Sequence, residues 1–187
     1  MKRQTTFEQI VEAADQLFYQ QGFENTSFSD IAEVVKISRG NFYHHFKSKN
    51  EILNAVIKHR LDNTRELLNQ WESENQNPQD RVQSFINILL MNMAKIKKYG
   101  CPVGTLCTEL TKLQHPAQTD ANQLFSIFRG WLTQQFERMH LSQNADDLAM
   151  HILSWSQGVA TLAHVYQDER FIQLEITQIS NWLKQLK

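Results

Sequence analysis

The stretch Ser29 to Lys49, SDIAEVVKISRGNFYHHFKSK, constrains this chain most, because it reads as two short helices joined by a tight turn. Ile31, Ala32, Val34 and Val35 supply an apolar first helix, and Lys36 and Ile37 make the turn. The Ser38 hydroxyl can cap the helix that follows. Phe42 and Phe46 stand at i and i+4 on one buried face. At roughly 100° per residue, the opposite face carries Gly40, Asn41, Tyr43 and His44, with Arg39 free to swing out from the first turn. Side chains of these types bond to phosphates and base edges, so DNA is the first partner to expect.

The run Ile31, Ala32, Ser38, Arg39, Gly40, Phe42, Tyr43, His45, Phe46, Lys49 and Glu51 resembles the signature of the tetracycline-repressor (TetR) family of one-component regulators. The motif covers about the first quarter of the chain and is matched there nearly without a break. Two positions depart from it. Lys36 stands where glycine is common, and a left-handed non-glycine residue costs about 1 to 2 kcal/mol, so the turn is expected to differ locally. Val35 stands where a small residue is usual and should push the two helices slightly apart.

With only three prolines and six glycines, and apolar residues at helical spacing almost throughout, the chain reads as all-α with about nine helices. A first helix over Thr6 to Gln21, closed by Gly22, backs the helix-turn-helix. Ser48 and Glu51 have the spacing of a capping box and open a long helix from Lys49 to about Glu74. Pro78 starts a fifth helix that stops at Gly100, and Pro102 to Leu113 forms a short sixth. Three more run from about Asp120 to Met139, Ala145 to Gln167 and Phe171 to Leu186. The resemblance implies an N-terminal three-helix helix-turn-helix DNA-binding domain over 1–48. It implies a C-terminal helical domain for effector binding and dimerisation over 49–187.

At 187 residues the chain can bury a good core without disulfides. No apolar run is long enough to span a bilayer, and the start MKRQTTFEQI lacks the apolar core of a signal peptide. The expected location is the cytoplasm. A net charge of −1 argues against a nucleic-acid binder until its distribution is read. From Lys36 to Arg60 six basic residues (Lys36, Arg39, Lys47, Lys49, Lys58, Arg60) face one acid, Glu51. A local positive patch on a near-neutral chain suits specific docking on double-stranded DNA. Within it, Arg39, Asn41 and His44 are expected to read base edges, with Ser38, Tyr43, Lys47 and Lys49 on phosphates. Gly40 would let the helix backbone approach the groove.

The central helices are rich in large, adaptable side chains, which solid packing alone would explain. In the family this chain resembles, such helices enclose a small-molecule effector. The resemblance therefore implies a pocket for a flat or branched apolar molecule, drawn from Phe85, Leu89, Met93, Cys101, Leu106, Phe128, Trp131 and Trp155. It also implies a homodimer through the last two helices, where Ser156, Gly158 and Ala160 would permit close approach; completion of the monomer core is the competing reading.

Nothing calls for catalysis, a metal or a cofactor. The histidines at 115, 140, 151 and 164 are scattered, and adjacent His44 and His45 point in different directions on a helix. Cys101 and Cys107, six apart on a helix, lie about 9 Å apart by the rise per residue, beyond the roughly 7 Å reach of a disulfide. Cys101, between Gly100 and Pro102 and near Lys97 and Lys98, has surroundings that favour a thiolate. Some members of the resembled family sense oxidants or electrophiles through a cysteine in a similar place, while small apolar packing residues are the alternative for both thiols. The reading is a homodimeric, effector-released repressor on a palindromic operator. The alternatives are an effector-independent DNA-binding protein and an all-α cysteine-dependent enzyme.

Overall fold

Where each helix begins is set by side chains that take up backbone N–H groups left unpaired in the first turn. α1 (Thr6–Gln21) starts at Thr5, whose hydroxyl accepts from Glu8 N while the Glu8 carboxylate accepts from Thr5 N. α2 (Phe28–Val35) repeats this box with Ser27 and Asp30. Ser38 caps α3 (Arg39–His45) by accepting from Asn41 N at 3.3 Å. At the start of α4 (Lys49–Glu74) the Ser48 hydroxyl accepts from Glu51 N, and the Glu51 carboxylate accepts from Lys47 N. Asn77 caps α5 (Pro78–Met91), with Pro78 in the first turn.

The computed structural model describes residues 5–186, and the described residues form ten α-helices and one 3-10 turn, with no strand. The four residues before Thr5, part of the segment read as lacking a leader, lie outside them. The remaining helices are α6 (Met93–Tyr99), α7 (Pro102–Lys112), α8 (Gln118–Arg138), α9 (Ala145–Tyr166) and α10 (Glu169–Gln185). The tenth helix arises because the span expected to run unbroken from Pro78 to Gly100 breaks at Asn92 (φ −109°, ψ 10°). Its side-chain Nδ2 donates to Ile88 O at 2.9 Å, a local bond that competes with helix continuation.

Contacts divide the chain into two compact units, Met1–Asn63 with Thr105–Gln123, and Thr64–Gly104 with Leu124–Lys187. The division falls inside α4, at Asn63. In the first unit Ile10, Ala14, Phe18, Ile31, Phe42 and Phe46 are buried together with Ile52, Leu53 and Val56 of α4. The turn from α2 to α3 keeps Lys36 left-handed (φ 58°, ψ 44°), and Ile37 N bonds back to Ala32 O at 3.2 Å. Of the residues expected to form the apolar face of α2, Ile31 is fully buried, Ala32 and Val35 are half-buried and Val34 is 53% exposed. Phe28, one turn earlier, supplies the missing contact, its ring 5.1 Å from that of Phe42.

In the second unit α10 packs on α5 and α9, and α6 packs on α9. Ser156 and Ala160 are buried in this protomer core, so of the three small residues expected at a dimer face only Gly158 is exposed. They point inward because they share the α9 face of Ile152, Val159 and Ala163. A polar knot closes one side of the core: Glu72 Oε1 accepts from Trp131 Nε1 at 3.0 Å, Arg138 Nη1 at 3.1 Å and Gln135 Nε2 at 3.2 Å. Arg81 joins it by donating to Glu72 O and Gln135 Oε1.

Burial alone would raise the pKa of the Glu72 carboxyl. The hydrogen bond and charge of Arg138, the charge of Arg81 and the bond from Gln135 outweigh it and hold the group below its ordinary 4.5. A carboxylate depressed in this way contributes stability that is fully present above pH 4.5 and is lost as pH falls through the lower folded value. Glu72→Gln should therefore be less stable than the wild type at pH 7 in urea unfolding, and the difference should shrink as pH is taken below 4.5. A difference independent of pH would mean that the charge plays no part in the knot.

Candidate nucleic-acid interface

The second helix of the turn motif is fixed from inside and bare outside. Phe42 and Phe46 are buried, Phe46 stacking on Phe7 with ring centroids 5.0 Å apart. Arg39, Gly40, Asn41, Tyr43 and His44 are all exposed, Tyr43 by 47%, with its ring steadied edge-on at 5.5 Å from Phe28. Nothing lies within 4 Å of a Cβ built on Gly40, so no packing inside the protein requires glycine there. Ser38, the helix cap, is also exposed. A shallow depression of about 200 Å³ beside this surface is bordered by Phe28, Ser29, Ala32, Arg39, Phe42 and Tyr43.

The basic residues divide. Lys36, Arg39 and Lys47 are exposed around the turn and α3, with the Lys47 ammonium folded back to donate to Tyr43 O. Arg60 is instead an internal tie, 2.5 Å from Asp15 of α1, and Lys58 pairs with Asp62 at 2.7 Å. Lys49, expected on a phosphate, is half-buried and committed within the unit. Its ammonium donates to Phe23 O at 3.0 Å and Glu24 O at 3.2 Å and sits 4.3 Å from the centre of the Phe23 ring. These contacts hold the loop after α1, something that charge counting along the sequence does not reveal.

The same loop is held from its other side by Glu109 of α7, whose carboxylate accepts from Phe23 N and Glu24 N, both at 2.9 Å. Gly22, at φ +91°, completes the turn; a Cβ there would lie 3.0 Å from Glu109 Oε1. His115 accepts from Ala117 N at 3.1 Å through Nδ1, so the proton of the neutral ring sits on Nε2, 3.1 Å from Asn50 Oδ1.

The second unit contains a cavity of about 80 Å³ with walls from α5, α6, α8, α9 and the start of α7. Of the residues expected around an effector, Phe85, Leu89, Cys101 and Phe128 line it. Met93 packs on the core without lining the cavity, to which Asn92 and Ile96 contribute instead. Leu106 is buried in the first unit. Trp131 gives its indole N–H to Glu72, and Trp155 gives its own to Glu175 at 3.3 Å; neither lines the cavity. Val103 of α7, Phe125 of α8 and Ser156 and Gln157 of α9 also line it, and phase along single helices does not identify them.

Cys101 Sγ accepts from Gly104 N at 3.4 Å in the first turn of α7, and Cys107 is buried and donates to Ala121 O. His164 Nδ1 lies 2.9 Å from Lys97 O, and the His151 ring sits tilted against that of Trp182 with centroids 4.7 Å apart. Among the described residues no group of three or more His, Cys, Asp or Glu side chains is placed to hold a metal ion. No described helix is long and apolar enough to cross a membrane.

Comparison with known proteins agrees with this geometry. Residues 10–56 match the model of "Bacterial regulatory proteins, tetR family", and residues 78–177 match "Transcriptional regulator LmrA/YxaF-like, C-terminal domain". An uncharacterised HTH-type transcriptional regulator in the lacX 3' region of Lactococcus lactis subsp. lactis is 32% identical over 168 residues, 87% of this chain and 85% of its own. The HTH-type transcriptional repressor DhaR of Mycobacterium sp. (strain GP1) is 26% identical over 133 residues, 71% of this chain and 64% of its own. A crystal structure of a TetR transcriptional regulator from Legionella pneumophila superposes with a TM-score of 0.87 at 25% identity, covering 97% of this chain and 98% of that one. An all-α chain with an N-terminal helix-turn-helix and these matches at both ends is not an enzyme: it belongs to the TetR family of transcriptional regulators.

Proposed function

We propose that this regulator is a cytoplasmic homodimeric repressor that binds a palindromic operator through α3 and leaves it when a small effector occupies the α5–α9 cavity. The exposed face of α3 carries the reading: polar side chains on a capped helix whose opposite face is locked by Phe42 and Phe46. Arg39, Asn41 and His44 would meet base edges, and Tyr43 and Lys47 phosphates, while Gly40 allows close approach. The naming of DhaR as a repressor supports the sign of regulation. Residues 1–48 would form the DNA-reading domain and 49–187 the effector and dimer domain.

A dimer through α9 and α10 is supported by apolar side chains at the surface. Met150, Ser154, Gly158, Leu162 and Tyr166 follow at four-residue steps on one face of α9 and all are exposed, Tyr166 by 74%. Leu174 of α10 is 57% exposed. Across a two-fold axis such a stripe is self-complementary, and the small residues in its middle permit close helix packing. For release, the effector must bind the DNA-incompetent form more tightly than the competent one. α4 is one continuous helix of 26 residues with parts in both units, so its tilt would change the separation of the two recognition helices. An operator of fixed half-site spacing would then be lost.

Two kinds of variant test the docking. Tyr43→Ala should weaken binding to operator and unrelated DNA alike with the slope of log affinity against log salt little changed, Lys47→Ala should lower that slope by about one, and Asn41→Ala should alter sequence preference. Wild-type affinity of Tyr43→Ala at physiological salt would refute the docking mode. Lys49→Ala should leave the salt slope unchanged and destabilise the fold by about 1–2 kcal/mol in chemical unfolding, as loss of charged hydrogen bonds requires. A slope reduced by about one would instead put Lys49 on a phosphate.

A further inference from the structure

The loop between α1 and α2 is held by a charge from outside the helix-turn-helix. Phe23 N and Glu24 N both donate at 2.9 Å to the carboxylate of Glu109, which lies 86 residues beyond Phe23 on α7. Phe23 O and Glu24 O accept from the Lys49 ammonium at 3.0 and 3.2 Å. The peptide unit between Phe23 and Glu24 thus has an anion on its N–H and a cation on its C=O. Each charge polarises the unit in the sense that strengthens the bond to the other.

This loop adjoins both ends of the α2–α3 pair. On the entry side, Thr26 is buried, its hydroxyl donating to Gly22 O at 2.7 Å and its N–H bonding to Phe23 O at 3.2 Å. Ser27 caps α2 next, and the Phe28 ring meets Phe42 edge-on at 5.1 Å and Tyr43 at 5.5 Å. On the exit side, Lys49 opens α4 just beyond Phe46, the C-cap of α3. Glu109 therefore fixes the point from which the chain enters α2, and Lys49 ties that point to the place where it leaves α3.

We infer that Glu109 is a positioning residue for sequence-specific DNA binding, acting on α3 through the α1–α2 loop. The inference rests on the reading of α3 as the helix that meets DNA. Base-edge contacts need side chains placed to the accuracy of a hydrogen bond, whereas attraction to phosphates, which supplies non-specific binding, tolerates small displacements. Loosening the loop therefore costs specificity before it costs non-specific affinity. Glu109→Gln is the discriminating change, because the carboxamide has the same shape but accepts through Oε1 alone and turns an NH2 towards the second backbone N–H.

Affinities of the full chain for DNA from immediately upstream of its own gene and for unrelated DNA of the same length give the specificity ratio, measured where circular dichroism shows each variant folded. Glu109→Gln should lower that ratio about tenfold, roughly the worth of one base-edge contact. Its affinity for unrelated DNA and its salt slope should stay unchanged. In NMR spectra of the free protein the Phe23 or Glu24 amide proton should move upfield, and the ring protons of Phe28 and Tyr43 should shift with it. Tyr43→Ala, run alongside, checks the docking by weakening binding to both DNAs. A wild-type ratio in Glu109→Gln, with the loop amide shifted and Tyr43→Ala weakened, would overturn the positioning role alone. Equal loss on both DNAs that tracks a lowered urea midpoint would also overturn it, because a residue that is merely structural acts through the folded fraction. Wild-type affinity of Tyr43→Ala would overturn the docking mode and this inference together. If Glu109→Gln does not fold, Glu109→Asp, which keeps the charge and shortens the reach, is put through the same measurements with the same outcomes.

Discussion

The first compact unit depends on how the chain turns after α1. Between Gly22 and Glu24 the backbone has groups that no helix can satisfy, and leaving buried ones unpaired would cost the free energy of a lost hydrogen bond each. Charged side chains from two distant helices meet that need: Glu109 takes the amides of Phe23 and Glu24, and Lys49 takes their carbonyls. Charge-assisted bonds of this kind are the strong ones. They fix the exit of α1, and with it the packing of Phe23 against Phe18 and His115. They also explain why residues 105–123 belong to the same compact unit as the helix-turn-helix.

Much of this fold was legible because helix ends are written in short-range chemistry. Gly22, the Ser48–Glu51 pair and Pro78 gave boundaries that agree with α1, α4 and α5. The inner face of α3, Phe42 and Phe46, was equally plain. What stayed hidden depends on partners remote in sequence. Lys49 looks like any lysine in a basic stretch until Phe23 and Glu24 are seen around it. Ser156 and Ala160 look like interface residues until the protomer core covers them. Around the cavity the inward positions after Leu89 are Asn92 and Ile96, while Met93 packs on the core beside them. Phase identifies a helix's inner face, and it does not say which inner residues meet empty space.

The second unit joins a rigid knot to a small void. Glu72, near the end of α4, is bonded to Trp131, Gln135 and Arg138 of α8, and Arg81 of α5 closes the group. Such a network resists gradual deformation, because a buried polar group left half-paired is costly. The cavity is bounded by the same helices α5 and α8, together with α6, α9 and the start of α7. At about 80 Å³ it is far below the several hundred Å³ usual for ligand sites, so under the proposed function an effector of ordinary size would have to move its walls. The knot that ties α5 and α8 to α4 would then link wall movement to helix tilt, and the proposed release would need no contact between effector and DNA.

The central claim is that α3 is a sequence-reading helix used in a two-fold pair. Hydroxyl-radical footprinting on DNA from immediately upstream of the chain's own gene, at physiological salt, tests it most directly. The account predicts two protected patches related by two-fold symmetry, their centres separated by a whole number of helical turns of about 10–10.5 base pairs. Protection at a single unsymmetrical patch, or none beyond that seen on unrelated DNA of the same length, would contradict it.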